Sequence, residues 1–167
     1  MPIPAPAPVQ VDAPVPPWDV TTLLHRARLL QQSALVTHIP PLLRGRHLAL
    51  WCEPPAVEGP GMFRRAAEEL GAHVAVLRVG LSTHSAWHEV RDTARLLGRL
   101  YDAVECQGPD PALIRRLVEQ AGIPMFEGAA LPGHPVAQLA DLLPTDRASP
   151  ADNRRFVLQA LLLEALG

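Results

Sequence analysis

Four short apolar runs, at residues 46–52, 73–79, 102–106 and 122–126, alternate with helical patterns, and that alternation most limits how the chain can fold. Apolar runs of this length bounded by Gly, Pro and Asp read as buried strands. The segments between them, 61–70, about 86–99 and 111–120, are long enough to be helical crossovers. Crossovers of this kind join parallel strands in one hand, so the expected fold is α/β: a three-layer single domain with a mostly parallel sheet of about four strands flanked by helices. Asp19 is a plausible N-cap for a helix carrying Val20, Leu23, Leu24, Ala27 and Leu30 on one face, broken by Pro40 and Pro41. Gly71 closes the second helix, and Ser82 or Ser85 caps the third. Pro135 opens a helix to residue 143, and Asp152 caps a last one over 154–166. Ligands of such sheets sit beyond the carboxyl ends of the strands, here 52–60, 79–85, 106–108 and 127–134.

The length of 167 residues fits one compact unit, and no internal repeat is visible. Residues 1–17 carry prolines at 2, 4, 6, 8, 14, 16 and 17 and read as an extended tail, either a linker or a proline-rich docking ligand. They lack the basic start and continuous apolar stretch of a signal peptide. No run approaches the roughly 20 apolar residues of a membrane span, and a net charge of −2 offers no basic footprint for nucleic acid. All 15 basic residues are arginines, which excludes mechanisms built on a lysine amine. Coding bias accounts for that composition. Cys52 and Cys106 alone make no disulfide framework, so they read as buried thiols and the compartment as cytoplasmic. His84 and His88 stand at i, i+4, a spacing that holds a metal only if the segment is helical; a solvated helix start is the ordinary reading. No metal or cofactor is expected.

The strand ends are less anonymous. Leu48-Ala49-Leu50-Trp51-Cys52-Glu53-Pro54-Pro55 is followed by Phe63 and Ala66, then by Glu69-Leu70-Gly71-Ala72-His73-Val74. Next come Asp92-Thr93-Ala94-Arg95 with Gly98-Arg99-Leu100-Tyr101-Asp102, and finally His134-Pro135 with Leu139-Ala140-Asp141-Leu142. In order and spacing this set resembles the carbamoyl-phosphate-binding domain of aspartate and ornithine carbamoyltransferases. In that family a Ser-Thr-Arg-Thr loop holds the phosphate, at the positions of Ala56, Val57, Glu58 and Gly59 here. Where the resemblance places an arginine there is Glu58, so an attraction of about 1–4 kcal/mol at 4 Å becomes a repulsion of similar size. Pro60 also removes one backbone donor from the helix start.

Other expected contacts depart in the same direction. The family's arginine before the glycine that follows the third strand is Gln107, which neutralises nothing. In the His-Pro-x-Gln motif, His134 and Pro135 remain, Ala137 takes the glutamine position, and Gln138 is turned about 100° away on a helix. His134 is then either a relic of the helix start or a ligand contact. Together Glu58, Gln107 and His134 are the candidate ligand-binding residues, with no catalytic residue assigned.

Residues 151–167 resemble the family's last helix, which returns from the amino-acid-binding domain to pack on the first domain. By the resemblance, residues 18–167 form one carbamoyltransferase-like domain in which 143–150 replaces the second domain. Trp51, Met62 and Met125 are candidates to plug the strand ends that such a loss uncovers. The expected function is a carbamoyltransferase-like protein without catalysis, serving assembly or regulation as a homotrimer or beside an active relative. A carbamoyltransferase completed by a partner subunit, with Arg64, Arg65 or Arg78 as replacement cation, and a small-ligand module using Glu58 as counter-charge are the alternatives.

Overall fold

The computed structural model describes residues 18–53 and 61–167; the tail and the loop containing Ala56, Val57, Glu58, Gly59 and Pro60 lie outside them. Within the described residues the elements are α1 (Val20–Val36), β1 (His47–Cys52), α2 (Gly61–Glu69), β2 (His73–Leu77), α3 (Trp87–Leu100) and β3 (Ala103–Gln107). There follow α4 (Pro111–Ala121), β4 (Met125–Glu127), α5 (Pro135–Gln138) with a 3-10 turn at Leu139–Leu142, and α6 (Pro150–Leu166). All strand pairs are parallel, in the order β2-β1-β3-β4. The expected three-layer architecture is therefore present. One layer is α1, α2, α5 and α6, whose core joins Leu23, Phe63, Val136 and Phe156 to Leu48 and Leu50. The other is α3 and α4, packed through Val90, Leu97, Leu113 and Leu117 on Ala49, Trp51, Val104 and Cys106.

Several local expectations hold and several shift. Asp19 caps α1, its carboxylate accepting from the Thr22 amide at 3.0 Å, and Gly71 turns the chain after α2 at φ +86°. Neither Ser82 nor Ser85 caps α3. The N-cap is Ala86, and Glu89 reaches back so that its carboxylate accepts from the Ala86 amide at 3.0 Å, while the two serines close a turn of their own. Ser149, not Asp152, caps α6: its hydroxyl accepts from the Asp152 amide at 3.1 Å, with Pro150 in the first turn. The helix expected over 135–143 is a single four-residue turn that tightens into 3-10 geometry. β2 stops at Leu77 and β4 is only three residues long.

Helix α6 is buried almost all round, from Asn153 through Leu163 apart from Arg154. Such a helix needs partners for each polar group it takes inside. The Gln31 side-chain amide donates to Asn153 Oδ1 and to the Pro144 carbonyl, both at 2.9 Å, and Asn153 Nδ2 donates to that same carbonyl at 3.1 Å. Arg155, 9% exposed at its side chain, donates to Glu69 Oε2 at 2.9 Å and to Asp152. Gln159 Nε2 donates to Glu69 Oε2 and to the Ala66 carbonyl, while its buried Oε1 has no partner among the described residues. These bonds tie α6 to α1, to α2 and to the segment preceding it.

The register decides the fate of the two thiols. Cys106 lies opposite Trp51 and Cys52 opposite Gln107, so the cysteines occupy neighbouring strands one position apart and point to opposite faces. Cys52 packs, half-buried, toward the α1–α2–α6 layer, whereas Cys106 is buried toward α3 and α4, where burial pushes its thiol up to about 12. A thiol reagent on the native chain is expected to label Cys52 and spare Cys106 until unfolding, with no intrachain disulfide on oxidation; peptide mass mapping checks both.

A close approach between α3 and α4 yields a stability test. A Cβ at Gly98 would stand 2.2 Å from the Ala121 carbonyl oxygen. On an open helix surface Gly→Ala stabilises by up to about 1 kcal/mol. Here the sign reverses: Gly98→Ala is expected to destabilise by about 1–3 kcal/mol, read as a lower urea midpoint.

Candidate functional site

The sheet order sends the chain from β1 outward to β2 and then back across to β3, so the direction of winding reverses between β1 and β3. The crevice of an open α/β sheet lies at that switch, beyond the carboxyl ends of the two strands. Here the strands end at Cys52 and Gln107. Their continuations are pressed together: the Glu53 amide donates to the Gln107 carbonyl at 2.8 Å, and Gly108 follows at φ +104°. A Cβ at Gly108 would lie 2.6 Å from the Glu53 carbonyl oxygen, so glycine is required there for two independent reasons. Beside this pinch, Trp51 Nε1 donates to Glu53 Oε1 at 2.9 Å and fixes that carboxylate.

Gln107 does not face an open crevice. It is fully buried, with its Nε2 donating to Glu105 Oε1 at 3.3 Å. Sequence reasoning passed over Glu105, which is also fully buried, two residues earlier on the same face of β3. Its Oε1 also accepts from the Ala130 amide at 3.1 Å, binding β3 to the segment between β4 and α5. Burial pushes the Glu105 carboxyl up to about 8, against weaker downward pulls from the Ala130 amide, the Gln107 side chain and the Ala129 amide. An acidic residue inside an otherwise apolar strand, with an amide at i+2, was the available sequence signal.

His134 is half-buried at the start of α5, where its Nδ1 accepts from the Val136 amide at 3.1 Å. That bond places the proton of the neutral ring on Nε2, leaving it a donor, and burial lowers the pKa of the ring so that the neutral form is favoured. His134 and Pro135 border a cavity of about 690 Å³ that runs along β4 and is walled by Trp18, Met125, Phe126 and Leu161. Ala137 and Gln138 occupy the first turn of α5 without any described contact to Gln107. Of the three candidate ligand residues, Gln107 and His134 are thus connected through the segment that Glu105 anchors, and Glu58 lies outside the described residues.

The remaining candidates sort clearly. Arg64 and Arg65 pair with Glu68 and Glu69 along α2, each at 3.0 Å, and Arg78 is exposed after β2. His84 lies in the turn before α3 and His88 inside it, so their spacing does not place them on one helix face. Among the described residues no group of three or more His, Cys, Asp or Glu is arranged to hold a metal ion. Trp51 packs in the α3–α4 core with its indole nitrogen reaching Glu53 just past the end of β1; Met62 packs, half-buried, on the other layer, and Met125 lines the cavity. No described helix is long and apolar enough to cross a membrane.

Comparison with known proteins agrees with this geometry. Residues 13–146 match the family model described as aspartate/ornithine carbamoyltransferase, carbamoyl-P binding domain. Ornithine carbamoyltransferase of Cutibacterium acnes is 39% identical over 125 residues, covering 75% of this chain and 37% of the relative. The enzyme of that name from Actinobacillus pleuropneumoniae serotype 5b is 34% identical with the same coverage. The chain therefore spans little more than a third of these relatives. Among solved structures, ornithine carbamoyltransferase from Pyrococcus furiosus superposes with a TM-score of 0.62 at 25% identity, over 74% of this chain and 39% of that one. Aspartate transcarbamoylase from Trypanosoma cruzi shares the fold at a TM-score of 0.58 and 24% identity, over 74% and 39% of the two chains. With sheet order, strand-end motifs and matched residues in agreement, this chain belongs to the aspartate/ornithine carbamoyltransferase family through its carbamoyl-phosphate-binding domain.

Proposed function

We propose that the chain is a non-catalytic carbamoyltransferase-like module with an assembly or regulatory role. The observation that carries this reading is Gln107: at the position where the family pattern has an arginine, the side chain is uncharged, fully buried and engaged with Glu105. A phosphate bound beside residue 107 would meet no charge on that side chain to compensate its own. Arg64 and Arg65 are held by carboxylates of their own helix, and Ala137 has no donor to offer. Glu58 adds a negative charge where the family pattern has its other arginine. One neutral histidine does not replace a set of preorganised donors, since stabilising the charge that develops in a transition state is usually the largest contribution to catalysis.

The same reading assigns residues 143–150 as the replacement for the amino-acid-binding domain and α6 as the counterpart of the family's terminal helix. What supports it is the packing of α6 on α1 and α2 and its attachment through Asn153 and Gln31 to the Pro144 carbonyl. Assembly follows the family pattern in this proposal, as a homotrimer or beside an active carbamoyltransferase.

A second reading, an active site completed by a partner subunit, is favoured by His134, whose Nε2–H is left as a donor at the edge of a cavity. Calorimetric titration with carbamoyl phosphate separates the two. The module reading expects no saturable heat and a sedimentation mass of three chains. Tight binding by the isolated chain overturns it, and product formation with ornithine or aspartate only after a partner is added establishes the second reading.

A further inference from the structure

The buried pair on β3 contains two oxygens for which the bonding described so far leaves no donor. Glu105 Oε2 and Gln107 Oε1 are both buried and both lack a hydrogen-bond partner, although the other atoms of the same two groups are bonded to each other. A buried acceptor left without a donor has given up its hydration with nothing in return, and two on adjacent groups rarely persist in a native interior. One proton resolves both. A carboxylic acid and a primary amide are complementary: acid Oε2–H donates to amide Oε1 while amide Nε2–H donates to acid Oε1. The second of those bonds is the one observed at 3.3 Å.

We propose that Glu105 is carried as the neutral acid, paired with Gln107 in a cyclic acid–amide contact, and that this pair positions the segment bearing His134 by holding the Ala130 amide. Glu105 is thereby a positioning residue, acting through Ala130 and the turn that leads to α5. The groups bearing on its charge contain no cation. On the same sheet face, β1 contributes Cys52 opposite Gln107 and β4 contributes Phe126 opposite Glu105, while Glu127 points to the other face. From the covering helices, Arg155 is committed to Glu69 and Asp152, Gln159 to Glu69 and Ala66, and Gln31 to Asn153 and Pro144. At the start of α5, His134 holds the Val136 amide. Removing the proton leaves a carboxylate facing an amide carbonyl with no solvent to screen them.

The sign follows from linkage. A carboxyl whose folded value is near 8 and whose unfolded value is near 4.5 keeps its proton in the native state alone between those limits. Its contribution is complete below about pH 4.5 and is lost as pH rises through about 8, so stability falls with pH across that window.

Carbon-detected NMR of the Glu105 carboxyl in the full chain tests this. A titration midpoint near 8 is expected, with the Ala130 amide and the Gln107 side-chain amide shifting in the same step. In Glu105→Gln the Ala130 step disappears, and the Glu105-linked part of the fall in the urea midpoint between about pH 5 and 8 is lost, so the variant's midpoint falls less with pH than the parent's. A carboxyl titrating near its ordinary value of 4.5 in the parent chain overturns the proposal, as does an Ala130 step that persists in Glu105→Gln. The parent titration alone decides the matter if the variant fails to fold.

Discussion

The polar anchoring of α6 is the constraint on which the rest of the molecule depends. A seventeen-residue helix buried on nearly every side must bring most of its own hydrogen-bonding solution, because an unpartnered polar group inside a core is costly. Gln159 Oε1 is the one side-chain oxygen of Asn153, Arg155 and Gln159 left without a donor among the described residues. Asn153, Arg155 and Gln159 are spaced so that one meets α1 and the segment after the 3-10 turn while the other two meet α2. With those bonds made, Phe156, Val157, Leu161 and their neighbours close one face of the sheet, and α1, α2 and α5 are held at fixed distances from the strands. The strand ends inherit their positions from that layer.

At the end of β3 the proposed reading turns on one neutral side chain, Gln107, packed against a buried carboxyl. A buried carboxyl beside an arginine would be an ion pair; beside Gln107 it is an acid and an amide of no net charge. The exchange leaves β3 fully buried and its pairing with β1 and β4 intact. His134 has a structural duty of its own, its Nδ1 accepting from the Val136 amide at the start of α5. Residues that serve the backbone, such as His134 and Gly108, hold the fold whatever ligand the strand ends take.

Much of the architecture was legible because the apolar runs and their breakers agree with one another. Asp19, Gly71 and Pro111 each mark an element end where the backbone geometry demands their chemistry. The misplacements share a physical origin. Ser149 and Asp152 are both good capping residues three apart, and the bond between them satisfies either description until the Pro150 position is considered. Glu89 caps from inside α3, so searching for a cap among the preceding serines looked on the wrong side. In the site, His134 and Gln107 were found through their motifs, but Glu105 was not, because its importance lies in burial and in a partner twenty-five residues away. The opposite orientation of the two cysteines likewise needs the inter-strand register, which periodicity within a strand does not supply.

The contact between Gly108 and the Glu53 carbonyl is made of main chain, and so it is indifferent to what happens among the side chains around it. A change of side chain at 107 leaves this main-chain floor where it is. The mould of the crevice is therefore a property of two turns of main chain, and whatever chemistry a chain of this fold carries is laid over it by side chains.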